Sequence, residues 1–187
     1  LSSDKNMNNY WQQDKYIKAC KFAAEAHNGQ LVPGTDLPYL VHLSLVSMEV
    51  IAAIGTDDRY DADLAMQCAW LHDTIEDTKT SYDDIADNFG VEVADGVQAL
   101  TKDEGLPKSD QMADSLKRIK GQPKEVWAVK MADRITNLQP PPPKWSQEKI
   151  AKYRIEALLI HDYLKEANEM LADRLYAKAE AYKAFLQ

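Results

Sequence analysis

At 187 residues, with 45% hydrophobic and 28% charged side chains, the chain has the size and composition of a globular protein able to bury a helical core. Its formal net charge of −8 argues against a nucleic-acid partner, because phosphate backbones are bound through basic surfaces. A small polyanionic substrate stays compatible with that charge if a metal and a few local cations receive its phosphates. No apolar run reaches the roughly eighteen residues of a membrane span, so no membrane partner is expected.

The N-terminal LSSDKNMNNYW lacks the basic-then-apolar pattern of a signal peptide. Leu1 is no initiator, so Met7 is the first candidate start unless the terminus is a processed one. Cys20 and Cys68 lie inside helical patterns without C-x-x-C spacing, which favours free thiols in a reducing, cytoplasmic setting over a single disulfide.

In chain order, a helix over about 10–27 places Tyr16, Ala19, Cys20, Ala23 and Ala26 on one face and stops at Asn28-Gly29. The Gly- and Pro-rich segment at about 29–39 reads as a loop or short hairpin. A second helix over about 41–54 ends at Gly55, and a third over about 61–73 is apolar nearly all round, hence central. Ser81 followed three residues later by Asp84 caps a helix that ends at Gly90, and another covers about 91–100. A further helix follows the loop KDEGLPKSD, and one over about 125–138 starts just after Pro123. Pro140 to Pro143 form a stiff extended connector, read as a spacer or, alternatively, as a partner-recognition segment. One or two long helices fill about 146–187. With no strand-period run of note and no repeat, the expected fold is all-α: one domain over 1–187, a single helical bundle.

The chemistry concentrates in LHDTIED. A helix as apolar as the third cannot end in His72 and Asp73 without partners, since an unpaired buried charge costs several kcal/mol. If the helix continues, Glu76 and Asp77 share their face, and three carboxylates crowd together unless a cation sits among them. YLVHLSLV offers His42, and AVKMADRITNL offers Asp133 within an apolar stretch. Taken singly, His42 reads first as a satisfied core histidine and Asp133 as a cap or ion pair with Arg134. Their joint occurrence with His72-Asp73 points to a first-row divalent ion, which lowers the pKa of a bound water and polarises a phosphoryl oxygen. A second His-Asp pair, His161-Asp162, has no acidic follow-up and reads as a solvated helix face.

The ordered set His42, His72-Asp73 and Asp133 resembles the HD-domain metal phosphohydrolases. The fuller run AHNGQ, PYLVH, AWLHDTIEDT, LTKDE and KMADRITNL is similar to the hydrolase domain of guanosine tetraphosphate synthetase/hydrolases and the small alarmone hydrolases, over about 16–138. The resemblance implies an HD-type bundle in which those four ligands hold Mn(II), and Glu76 and Asp77 activate or position the attacking water. It further implies removal of pyrophosphate from the ribose 3′ position, with Tyr39 lining the nucleotide pocket and Asn137 contacting the nucleoside. Lys102 and Lys108 are candidate phosphate contacts, though lone lysines are as often solvated, and Arg154 is a candidate cation from the C-terminal helices. One departure bears on specificity: relatives follow H-x-G-Q with basic residues, whereas Gln30 is followed by Leu31, Val32 and Pro33. Two other readings therefore stand beside the alarmone hydrolase: an HD-type phosphohydrolase of another nucleotide phosphoester, and a non-catalytic nucleotide-binding module. The sequence leaves the oligomeric state open.

Overall fold

A computed structural model describes residues 11–186, so Leu1, Met7, Tyr10 and Gln187 lie outside the described residues. The chain runs through α1 (Gln13–Ala26), α2 (Leu40–Ile54), α3 (Ala62–Leu71), the single turn α4 (Thr74–Asp77), α5 (Tyr82–Phe89), α6 (Val91–Leu100), α7 (Gln111–Lys120), α8 (Lys124–Asn137), α9 (Gln147–Leu164) and α10 (Glu169–Ala181). A 3-10 turn, Tyr182–Phe185, follows. Among the described residues there is no strand; the expected hairpin between α1 and α2 is a lone bridge of Leu31 to Pro38. It is tied by Val32 N–H to the Leu37 carbonyl at 2.8 Å and by Tyr39 N–H to the Gln30 carbonyl at 2.9 Å. The all-α expectation holds.

The most apolar helix is also the most central. Of the residues in α3 only Asp63 is not buried, and the helix packs against α1, α2, α6 and α8. Met66 and Leu71 are fully buried there, each worth about 1.5–3 kcal/mol relative to exposure. The polar start of α3 is held by the Asp61 carboxylate, which accepts from Leu64 N–H at 2.9 Å and satisfies one of the free donors of the first turn. The capping box read from Ser81 and Asp84 is formed at α5, and the break at Gly90 separates α5 from α6.

The long C-terminal stretch divides in two at Asn168, whose side chain caps α10 through Leu171 N–H at 3.1 Å. Its amide also donates to the Ala53 carbonyl at 3.2 Å, anchoring the start of α10 to the end of α2. Buried Glu49 on α2 accepts both Nε and a terminal nitrogen of Arg174, so α10 is fastened to α2 by charge as well as packing. The proline segment is a non-helical connector between α8 and α9, with Trp145 folding back onto Tyr153. No helix among the described residues is long and apolar enough to cross a membrane. Cys20 and Cys68 are free thiols, as expected.

Candidate metal centre

Three helices supply the cluster. Pro38 and the hairpin ties set the entry of α2, which places Tyr39 at its cap and His42 on its first turn. Helix α3 ends at Leu71 with His72 as its cap, and Asp133 lies on the last turn of α8, a helix buried along most of its length. The His72 Nδ1 donates to the Ala69 carbonyl at 2.9 Å. A carbonyl can only accept, so the proton sits on Nδ1 and the Nε2 lone pair is left for a ligand.

That Nε2 lies 3.3 Å from the Nε2 of His42. Asp73 Oδ2 stands 2.8 Å from the His72 Nε2 and 3.5 Å from that of His42, while Asp133 Oδ1 stands 3.5 Å from His42 and 3.8 Å from His72. Ligands about 2.1 Å from a first-row ion stand about 3.0–3.4 Å apart at octahedral or tetrahedral angles, and these separations scatter around that value. His42, His72 and Asp133 form a group able to hold a cation, with Asp73 at its edge. Burial disfavours a charge on His72, but the charge and hydrogen bond of Asp73 outweigh it and push its pKa up to about 9. Burial raises Asp73 and is outweighed in turn by the two imidazoles, which hold it well below the usual carboxylate range. A field that draws a proton to this point also draws a divalent cation, whose binding displaces the proton. The donor set therefore fits a divalent metal.

The helix does not continue unbroken through 72–77. The α-helix stops at Leu71, and the chain resumes as the one-turn α4 after Asp73 at φ −100°, ψ −1°. The physical reason is competition for the last carbonyls: the His72 imidazole takes that of Ala69 and the Thr74 hydroxyl takes that of Leu71 at 2.6 Å. The break still leaves the acidic pair at the metal cluster. A cavity of about 140 Å³ is lined by His72, Asp73 and Asp133 together with Glu76, Asp77, Tyr39, Lys102 and Asn137. Glu76 also borders a groove of about 730 Å³ that reaches Arg118, and Asp77 borders another of about 730 Å³ that reaches His27 and Gln30.

Each flanking residue has a defined partner. Tyr39 donates its hydroxyl to Asp73 Oδ2 at 2.6 Å, and burial first, then Asp73, push its phenol pKa upward. Lys102 grips Glu76 twice, through Nζ at 2.5 Å and through its backbone N–H at 2.9 Å. Asn137 donates to Asp133 Oδ1 at 2.6 Å. Burial, then the charges of Asp73 and Glu76, raise the pKa of Asp77. Lys108 is exposed on the loop after α6 and lines none of these cavities. Arg154 turns instead to the Ala179 carbonyl at 2.9 Å and Glu180 at 2.6 Å, bracing α9 against α10.

Sequence reading missed Lys130, buried and 3.2 Å from Asp133 Oδ2. The available signal was a lysine one helical turn before Asp133 in an otherwise apolar run, which needs a buried counter-charge. The second pair differs from a solvated face: Asp162 is exposed, but the His161 ring packs on Tyr176 at 5.4 Å and bonds Asp162 at 3.1 Å.

Comparison with known proteins agrees with this geometry. The family model for the HD domain matches residues 19–170. The guanosine-3′,5′-bis(diphosphate) 3′-pyrophosphohydrolase MESH1 of Xenopus tropicalis is 29% identical over 164 residues, covering 85% of this chain and 89% of that protein. The human protein of the same name is also 29% identical over the same shares. A solved structure of a metazoan ortholog of SpoT, described as hydrolysing ppGpp, superposes with a TM-score of 0.77 at 25% identity, covering 89% of this chain and 94% of that one. With the family model spanning most of its length and the histidine–aspartate cluster in place, the chain belongs to the HD-domain family.

Proposed function

We propose that this protein is a divalent-metal phosphohydrolase that removes pyrophosphate from the 3′ position of guanosine tetra- and pentaphosphate. The observation that carries this reading is the placement of Glu76 and Asp77 on the turn directly after His72-Asp73, lining one cavity with the ligand cluster. The relatives named as guanosine-3′,5′-bis(diphosphate) 3′-pyrophosphohydrolases supply the substrate. His42, His72, Asp73 and Asp133 would hold the ion, with Mn(II) the proposed metal. When bound, the ion contributes Lewis acidity at a phosphoryl oxygen and acidifies a water.

The protein's own groups do the rest. Asp77, with its pKa raised by burial and neighbouring carboxylates, is suited to accept a proton from the attacking water. Glu76, pinned by Lys102, orients that water from the other side. Water adds to the phosphorus next to the ribose 3′ oxygen, the phosphorus–oxygen bond to the ribose breaks, and the 3′ oxygen leaves as a hydroxyl. Lys102 and Lys130 offset the charge of the polyphosphate. Asn137 spends its N–H on Asp133 and keeps its carbonyl for the nucleoside. The whole 1–187 chain is proposed to act as one domain on a small nucleotide, in a reducing cytoplasm that suits its free thiols.

A second reading, hydrolysis of another nucleotide phosphoester, is favoured by one feature. Leu31 and Leu37 stand about half exposed on the hairpin that follows Gln30, where a cation for the base is expected. A nucleotide panel with Mn(II) decides between them. Pyrophosphate released from guanosine tetraphosphate supports the first reading; orthophosphate from other nucleotides, with the tetraphosphate untouched, replaces it with the second.

A further inference from the structure

The AHNGQ segment supplies none of the clustered ligand atoms, yet His27 and Gln30 line one groove with Asp77. His27 closes α1, with its backbone N–H on the Ala23 carbonyl. Gly29 at φ 82° then lets the chain reverse, which brings Gln30 N–H to the His27 carbonyl at 3.0 Å. The reversal places the Gln30 side chain across the same imidazole, Oε1 at 2.6 Å from His27 Nδ1. Gln30 and Asp77 line the same groove, and the Gln30 side chain acts on the Asp77 carboxylate to favour its ionised form.

The chemistry of these groups fixes the direction of every bond. An ionised carboxylate only accepts, so the amide must present its NH2 to Asp77. Its carbonyl oxygen then faces His27, and Nδ1 must carry the proton it accepts. The imidazole cannot rotate away, because it is 4% exposed and stacked on Tyr39 at 4.8 Å and 23°. No described protein group reaches its Nε2. The one hydrogen bond that this buried imidazole makes among the described residues is therefore spent on orienting a glutamine.

We infer that His27 and Gln30 are positioning residues that lock the amide so that it donates to Asp77 and holds that carboxylate as an acceptor facing the metal cavity. The inference rests on the hydrolase reading above, in which Asp77 receives a proton from water. Without the histidine, the amide is free to turn its carbonyl toward Asp77, and the carboxylate loses the donor that orients it.

The test has an arm that needs no turnover. In wild-type protein, nitrogen NMR of the imidazoles is expected to show His27 protonated on Nδ1; in Gln30→Met that tautomer preference is lost while Tyr39 and the fold are retained. A wild-type His27 protonated on Nε2 alone overturns the relay whatever the enzyme does. In the kinetic arm, with Mn(II) and guanosine tetraphosphate, Gln30→Met and His27→Phe lower kcat roughly 10- to 100-fold with KM and bound metal near wild type. His27→Asn, which returns a donor to the Nδ1 position, recovers part of the loss. Wild-type kcat in Gln30→Met, or equal losses in His27→Phe and His27→Asn, overturns the relay. If the wild-type protein releases no pyrophosphate, the hydrolase reading fails, and the tautomer alone still decides whether the lock exists.

Discussion

The Nε2 atoms of His42 and His72 face each other across 3.3 Å, with a carboxylate oxygen of Asp73 and one of Asp133 beside them. Two imidazole lone pairs and two carboxylates so close are stable only around positive charge. Asp73→Ala and Asp133→Ala are expected to abolish metal retention, read by elemental analysis, and turnover with it. Chelation of the native protein should remove about 2.7 kcal/mol of linkage stabilisation if the metal had been present at about 100 times its Kd, read as a lower Tm. His161→Ala belongs to the pair that shares no cavity with the cluster and should leave metal content and activity within about twofold. Inactivation by His161→Ala with an unaffected Asp73→Ala would place the centre elsewhere.

Tyr39 tests how far the ligands depend on what holds them. Its hydroxyl occupies the same Asp73 oxygen that approaches both imidazoles, and its ring stacks on His27. Tyr39→Phe keeps the ring and deletes the hydrogen bond. Loss of such a ligand-orienting partner typically costs about 10- to 100-fold in metal affinity or activity, and that range is expected here with little change in Tm. Metal titrations of the two proteins check it; identical affinities would show that the hydroxyl serves only the nucleotide pocket.

The two lysines that sequence could not separate are separated by the fold. Lys102 reaches Glu76 beside the cavity, whereas Lys108 lies outside it. Lys102→Met releases Glu76 and removes a phosphate-facing charge, with an expected fall in kcat/KM of about tenfold, the pair being partly exposed and so screened. Lys108→Met should match wild type. Parallel kinetics on the two variants, at low and moderate salt, reads the difference directly.

Much of this was legible beforehand because periodicity and punctuation act locally. The helix bounds, the Ser81–Asp84 box and the burial of α3 all follow from residues within one or two turns of each other. The convergence of the histidine–aspartate cluster was legible for another reason: His42, His72-Asp73 and Asp133 are polar groups set in apolar helices, and each demanded a partner. What stayed hidden depends on tertiary choice. The break after Leu71 turns on side chains outbidding backbone N–H groups for two carbonyls, which spacing cannot reveal. Arg154 was a candidate cation for the substrate, and only the packing of α9 on α10 turns it to Glu180 instead. Lys130 escaped because a lysine on a helix usually reads as solvated, until Asp133 is known to lie buried beside it.

A close helix–helix contact in the core is also open to test. A Cβ on Gly96 would stand 2.9 Å from Cys68 Sγ and 3.0 Å from Val126 Cγ2, so α6 approaches α3 and α8 closer than any side chain permits. Gly96→Ala gains about 0.5–1 kcal/mol in helix preference but incurs an overpacking cost of about 1–3 kcal/mol, giving a net loss of stability. The sulfur is one of the two obstacles, so Cys68→Ala should reduce that loss by about 1 kcal/mol in a double-mutant cycle read by urea unfolding. The same contact predicts the thiol chemistry: burial first, then Glu92, push the Cys68 pKa up, and alkylation of Cys68 should wait for unfolding while half-buried Cys20 reacts in the native state. Additive stabilities in the cycle would mean that α6 slides to make room, and Cys68 would then lose its protection in Gly96→Ala.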